Sequence, residues 1–411
     1  MALVLGITMS LQAQQDPSDL LQQVRAKVAD TLDRLPRYMC TLTISRSVGE
    51  ADTRRSDSCD HAPDTHLAVA DRLRLDVAVT SEGEIFAWAG ARKFSDGELI
   101  DLVKDGAISN GSFASLLAAI FRSNAATFTP HGPHGYGLKE FAFQVPYEKS
   151  EYIYGDREHR VIAGYGGTFL VDTKTGDLTH LVIHSDRLPP DTGECYSTTT
   201  LSYARVHLKE DAFLLPTQSH LVILGPDGSK SENLTVFSGC HEFLGEATVK
   251  FDAPEEDPAK PEPQAIVIPP GLSFSVVVTQ QIQIKTAAVG DIIEGKLVTP
   301  IETSEKVLVP EGATVRARLV RFREFFGRRS IVSLAFKLQA VEVSGVFMPL
   351  AATPDTGKSF EKKGKDILPS VVALGALGAL EERAVTYNFG YDHGPFMIPS
   401  PLKSNWVTAN P

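Results

Sequence analysis

Gly164, Gly166 and Gly167 stand ahead of an apolar run in GYGGTFLVDTKTGDLTHLVIHSD, residues 164–186. Glycines so spaced can cradle a phosphate, but a dinucleotide fingerprint needs Gly-x-Gly-x-x-Gly after a strand and at the mouth of a helix. Here they lead into Thr168, Phe169, Leu170 and Val171, which read as a strand. A strand offers no helix N-terminus to hold an anion, so the spacing predicts bends in a sheet. His180 and His184 share a face of the next predicted strand. At ~3.3 Å per residue they lie about 13 Å apart, too far for two bonds of ~2 Å to one zinc. His131 and His134 in HGPHG could converge in a loop, but the sequence places no third ligand nearby. CHEFLGE, from Cys240, has His-Glu without the second His of a zinc-protease helix. There is no Gly-x-Ser-x-Gly elbow. Ser-x-x-Lys occurs at Ser359–Lys362 and Ser400–Lys403 without partner motifs. Glycosidase carboxylates carry no local signature, so an unrecognised glycan or lipid hydrolase stays as an alternative. The expectation is a non-enzymatic protein with no metal and no cofactor.

The elements around these residues are mostly strands. DPSDLLQQVRAKVADTLDRL predicts a helix from Pro17 to Leu35, capped by Asp16, with Leu21, Val24, Val28, Leu32 and Leu35 as its apolar stripe. Alternation then predicts strands through Tyr38, Cys40, Leu42 and Ile44, and through Leu73, Leu75, Val77 and Val79. A helical block interrupts them: one segment capped by Ser95 and stopped by Gly106, and a second, residues 109–124, with Phe113, Leu116, Leu117, Ile120 and Phe121 on one face. Strand alternation resumes to Asp252. FDAPEEDPAKPEPQ, rich in proline and acid, reads as a semi-extended linker. A further β-rich segment follows.

This order of helix, strands, helical block and long antiparallel run resembles the half-barrel fold of periplasmic lipoprotein carriers and of a related envelope-stress sensor. The hairpin GTFLVDTKTGDLTHLVI is similar to that family's strand–Asp-x-x-Thr-Gly–strand hairpin, here Val171, Asp172, Thr175 and Gly176. The resemblance covers residues 16–252. LPRYMCTLTISR and VFSGCHEFLGEATVKFD look like segments of secreted proteins of soil bacteria. VGDIIEGKLVTPI and KVLVPEGATVRARLV resemble a small β module of envelope proteins. The expected fold is mainly β with inserted helices (α+β): an antiparallel half-barrel plugged by helices, then a small all-β sandwich or barrel. The expected division is a truncated signal peptide at 1–15, the carrier-like domain at 16–252, the linker at 253–264 and a β-rich domain at 265–411.

The carrier-like fold implies a hydrophobic cavity lined by Phe86, Trp88, Phe113, Leu117, Ile120 and Phe121, able to take a lipid or a lipoprotein acyl chain; the plainer expectation is a filled core. RARLVRFREFFGRR carries Arg316, Arg318, Arg321, Arg323, Arg328 and Arg329. They are a candidate patch for an anionic envelope component, or else the charged edge of an exposed hairpin. The switch of apolar positions from Val315, Ala317 and Leu319 to Val320 and Phe322 predicts a bulge there. With 51 acidic and 40 basic residues the formal charge is −11, which disfavours nucleic acid as a partner.

Compartment is read from two signals. Ala2–Leu11 is apolar, too short to span a bilayer, and precedes a small residue at Ala13, as a secretory signal does, although the first basic residue is Arg25. A buried N-terminal strand is the alternative. LPSVVALGALGALEE, the most apolar later stretch, is too short and too glycine-rich to be an integral span. Cys40, Cys59, Cys195 and Cys240 include no Cys-x-x-Cys pair, so they predict disulfides, Cys40–Cys59 and Cys195–Cys240 being preferred among three pairings. The expectation is therefore a secreted or periplasmic protein that binds a hydrophobic ligand or another envelope component, with a structural or interaction protein as the alternative.

Overall fold

The computed structural model describes residues 16–49, 67–80, 83–91, 94, 99–103, 106–109, 113–155, 160–185, 188–189, 192, 194–225, 228–243, 268–325, 330–355, 383–391 and 396–410. The proposed signal peptide, the proline-rich linker, Cys59, Arg328 and Arg329 lie outside them.

The chain is mainly β, in antiparallel sheets, with inserted helices. Helix α1 (Pro17–Arg34) leads to β1 (Tyr38–Gly49), β2 (Ala68–Thr80) and β3 (Gly83–Trp88). Two short helices follow, α2 (Leu99–Leu102) and α3 (Ser115–Leu117), the second running on as a π-helical turn (Ala118–Arg122). Next come β4 (Thr127–Gly135), β5 (Leu138–Val145), β6 (Ile153–Gly155), β7 (Arg160–Ile162), β8 (Tyr165–Asp172) and β9 (Leu178–Ser185). The long strands β10 (Tyr196–Leu208), β11 (Asp211–Leu224) and β12 (Lys230–Glu242) complete the first part of the chain. The remainder holds β13 (Ser273–Val278), β14 (Ile292–Leu297), β15 (Ile301–Glu302), β16 (Val307–Val309), β17 (Thr314–Phe325), β18 (Ser330–Val343), β19 (Val346–Pro349), β20 (Ala352–Pro354), β21 (Val385–Tyr391) and β22 (Leu402–Thr408).

Two compact units do not follow the chain in order. The first comprises residues 1–36 and 111–219, the second 37–110 and 220–411. This grouping differs from the division at residues 253–264. Strands β1, β2 and β3 group with the C-terminal strands because β2 meets β17, Arg323 opposite Asp71, and because Arg72 donates to Ile284 O and Ala287 O.

In the first unit, β4, β5, β8, β9 and β10 pair in that order, all antiparallel. Gly166 and Gly167 lie in β8 between β5 and β9. A Cβ on Gly166 would overlap the Gln144 side chain, and one on Gly167 would overlap Val182 O. Close backbone approach explains these glycines.

In the second unit, β12, β1, β2 and β3 form one antiparallel run. The C-terminal strands pair as β20–β22–β13–β14–β17–β18–β21. Phe336, Tyr387 and Trp406 pack there, with Phe336 to Trp406 at 6.3 Å between centroids. The expected bulge in β17 is present: its register against β18 shifts between Leu319 and Arg321.

The cysteine pairing differs from expectation. Cys40 is bonded to Cys240, with 4.1 Å between Cα atoms, and Cys195 is disulfide-bonded as well. So neither Cys40–Cys59 nor Cys195–Cys240 forms. The cause is strand pairing. Met39 faces His241 and Thr41 faces Ser238, and Gly239, at φ 60°, absorbs a bulge that leaves Cys240 against Cys40.

Arg46 and Asp71 form a buried ion pair between β1 and β2, with Nε to Oδ1 at 2.7 Å and Nη2 to Oδ2 at 2.5 Å. Gly106 lies over it at φ 80°, where a Cβ would sit 2.7 Å from Arg46 Nη1.

Two outcomes follow from this wiring. Cys40→Ser with Cys240→Ser should cost about 2–5 kcal/mol in urea denaturation, since the bridge closes a loop of 200 residues; an unchanged midpoint would contradict it. Asp71→Ala should cost about 3–5 kcal/mol by removing the carboxylate that neutralises the buried Arg46 guanidinium, while the apolar double replacement Arg46→Leu with Asp71→Leu should recover most of that.

Candidate functional site

The first unit holds the helix-covered sheet. Asp16 Oδ1 accepts from Ser18 N at 2.8 Å, and Pro17 sits at the first helical position, so α1 starts where the sequence places it. Its buried residues are Leu20, Val24 and Val28, each worth about 1.5–3 kcal/mol. Leu21 and Leu32, expected in the stripe, pack at its margin.

Opposite α1 the sheet presents aromatic rings. Phe141 and Phe169 stack at 5.2 Å, and Phe121 of the π-helical turn meets Phe169 edge-on at 5.0 Å. Phe128 lies 6.0 Å from both Phe121 and Phe169. Such pairs add about 0.5–1.5 kcal/mol beyond burial. The helices are joined to one another: Arg25 Nε donates to Phe121 O at 3.1 Å, and Arg122 pairs with Asp33 at 2.9 Å. Lys27 ties α1 to the sheet through Thr175 O and Asp177. Arg205 holds the same Asp177 carboxylate with two bonds of 2.8 Å. Burial pushes Asp177 up, but the bonds from Arg205 and Lys27 outweigh it and hold the carboxyl below its ordinary range.

The Asp172–Gly176 turn closes as the resemblance implied. Asp172 Oδ1 accepts from Lys174 N and Thr175 N, and Gly176, at φ 69°, reverses the chain.

The six residues expected to line a cavity divide between the two units. Leu117, Ile120 and Phe121 are in the first, 0–3% exposed, within the packed core against β5, β8 and β9. Phe113 is buried in the same unit. Phe86 and Trp88 belong to the second, on β3 opposite Val77 and Leu75. The chain leaves the first unit at residue 36 and returns at 111, so residues near in sequence fall in different units.

The arginines of β17 bond to groups within the second unit, and of them Arg318 is buried. Arg318 is 5% exposed and donates to Ala89 O and Gly290 O at 2.7 and 2.6 Å. Burial lowers its pKa, against the pull of Asp76 and Asp291. Arg316 bonds Glu294 at 3.0 Å and lies 3.7 Å over the Phe347 ring. Arg323 sits 3.9 Å from Asp71, and Arg321 is also engaged. The strand lies between β14 and β18 and is not the edge of an exposed hairpin.

His180 and His184 are exposed on β9, next to Thr179 and Thr198 respectively. Among the described residues no group of three His, Cys, Asp or Glu side chains is placed to hold a metal ion. No helix among them is long and apolar enough to cross a membrane.

Sequence reasoning missed buried polar side chains of the first unit. Tyr152 and Tyr165 pack at 5.2 Å, and burial pushes both hydroxyls up, Tyr165 to about 12. Glu194 has a buried Oε2 with no hydrogen-bond partner, and burial raises its carboxyl to about 7. No pattern marks an acid whose burial comes from folding.

No family model matches the chain, and no curated protein matches it either. Among solved structures, a crystal structure of a LolA superfamily protein from Nitrosomonas europaea aligns over 57% of this chain and 96% of its own, at 9% identity and a TM-score of 0.27. A likeness at that score is slight and carries no functional inference.

Because the folded Glu194 carboxyl titrates near 7 and the unfolded one near 4.5, the native state binds the extra proton between those values. Stability contributed by this group is therefore lost as pH rises from about 4.5 to about 7. Glu194→Gln should flatten that segment of the stability-against-pH curve, measured by chemical denaturation; identical curves would rule the effect out.

Proposed function

We propose that the protein is a non-enzymatic binding protein of an oxidising, extracytoplasmic compartment. Its apolar ligand, an acyl chain of a lipid or lipoprotein first among the candidates, would lie against the aromatic face of the first sheet.

The observation that supports this reading is how the face is covered. Over Phe141 and Phe169 the cover includes a three-residue helix and a five-residue π-helical turn, linked by side chains to α1. Helical segments this short have little stability of their own, and π turns recur at functional sites. A ligand that replaced Ile120 and Phe121 on the rings would meet an apolar surface already formed. The engaged cysteines, Cys40 with Cys240 and Cys195, fit an oxidising compartment.

A second reading has an observation of its own. Ile120 and Phe121 are 0% and 2% exposed, which is the packing of a filled core. On that reading the surface does the work, and the helices are permanent.

Native mass spectrometry after periplasmic expression separates the two. Mass additions of one lipid, lost when Ile120→Trp fills the face, are expected. Lipid-free protein from several hosts would overturn the binding reading and leave the filled-core one.

A further inference from the structure

Between β5 and β8 the chain leaves the main sheet of the first unit and returns to it. The base of this excursion is anchored. Ser150 is 8% exposed; its Oγ donates to Ala163 O at 2.5 Å and accepts from Tyr152 N at 3.0 Å, and Ala163 N donates to Tyr152 O at 3.0 Å. Tyr152 packs against the core, with its ring 5.2 Å from Tyr165; Phe143 then links Tyr165, at 6.2 Å, to Phe169, at 6.4 Å. Beyond this base, β6 and β7 form a ribbon that pairs with no other strand among the described residues. Two of its three cross-strand pairs are apolar, Ile153 with Ile162 and Tyr154 with Val161. Directly opposed side chains share a face, with Cβ atoms about 4.5–5.5 Å apart, so the two isoleucines make one patch. Ile153 is 60% exposed and Ile162 47%. A two-stranded ribbon is marginal in water, and an aliphatic pair left in water adds to its cost. The charges beside it cancel: Lys149 and Arg160 against Glu148 and Glu151, all exposed.

We propose that the Ile153–Ile162 face of this ribbon docks the first unit on a lipid bilayer with zwitterionic headgroups. The proposal rests on reading the aromatic face as an acyl-binding surface. An acyl ligand comes from a lipid phase and returns to one, and the base of the ribbon is packed on the same ring cluster. The isoleucines supply apolar area for the boundary between headgroups and acyl chains. The cancelled charges select the lipid, because an anionic surface attracts a segment through an excess of Lys and Arg, and none is present here. A second copy of the chain fits less well. With three residues in each strand, the ribbon presents much less than the ~800 Å² per partner that stable protein interfaces bury, whereas a bilayer takes up apolar side chains one by one.

Flotation of the full-length protein with phosphatidylcholine vesicles tests this. The wild type should float, and equally at low and high salt, since no net charge takes part. Ile153→Ser with Ile162→Ser should lower the partition coefficient about tenfold or more. Ile153→Trp should keep binding, with its added emission moving to the blue on vesicles and quenched by brominated lipid. Val307→Ser, at a side chain 54% exposed in the second unit, should change nothing. Circular dichroism checks that each variant keeps its fold. Wild-type protein that stays unbound, or a double serine variant that floats equally well, overturns the proposal. A dimer that the double serine variant dissociates in analytical ultracentrifugation overturns it too, by making a second copy the occupant. Lipid adducts in native mass spectrometry without flotation would sink the docking alone; flotation of protein that never carries lipid would sink the acyl-binding reading alone.

Discussion

A sheet that carries Phe141, Phe169 and Tyr165 on one face cannot leave that face in water. Its apolar area is worth roughly 25 cal/mol for each Å² removed from solvent, and most of the first unit is organised to remove it. Helix α1 supplies Leu20, Val24 and Val28; the π-helical turn supplies Ile120 and Phe121. Polar contacts then place the helices without supplying the driving force. Lys27 on Asp177 and Arg25 on Phe121 O set position on the sheet and against the neighbouring turn. The same cover makes the face both a core and a candidate binding surface, and those two roles differ only in whether the helices leave.

Charge has a different part in the second unit. Charged side chains on β1, β2 and β17 could guard a free sheet edge or attract anions. Here they are consumed inside the unit. Arg46 and Asp71 neutralise each other between strands, and Arg318 donates to the carbonyls of Ala89 and Gly290. Arg74 reaches Asp291 and Thr286 O. Buried pairs of this kind add little net stability but penalise any arrangement that separates them. They thereby favour one register for strands distant in sequence.

Local signals were legible in the residues. Asp16 and Pro17 marked the start of α1, and alternation marked β1 and β2 with their buried positions Leu42, Ile44, Leu73 and Leu75. The transfer of apolar positions after Leu319 announced the bulge in β17. Each depends on interactions between near neighbours, with a period of 2.0 or 3.6 residues. The π form of residues 118–122 was not legible, because five residues cannot separate it from an α-turn by periodicity.

By itself, the sequence determined a mainly β chain with an N-terminal amphipathic helix, a hairpin turning at Asp172–Gly176 and cysteines suited to disulfides, because propensity, capping and alternation act over a few residues. Tertiary structure alone decided which distant strands meet. It put Cys240 against Cys40, grouped β1 to β3, with Phe86 and Trp88, with strands beyond residue 268, and packed Ile120 and Phe121 in the core of the first unit. It also gave His131 and His134 the common neighbour Glu140. Register across a sheet follows from the whole pattern of burial and pairing, and no local spacing encodes it.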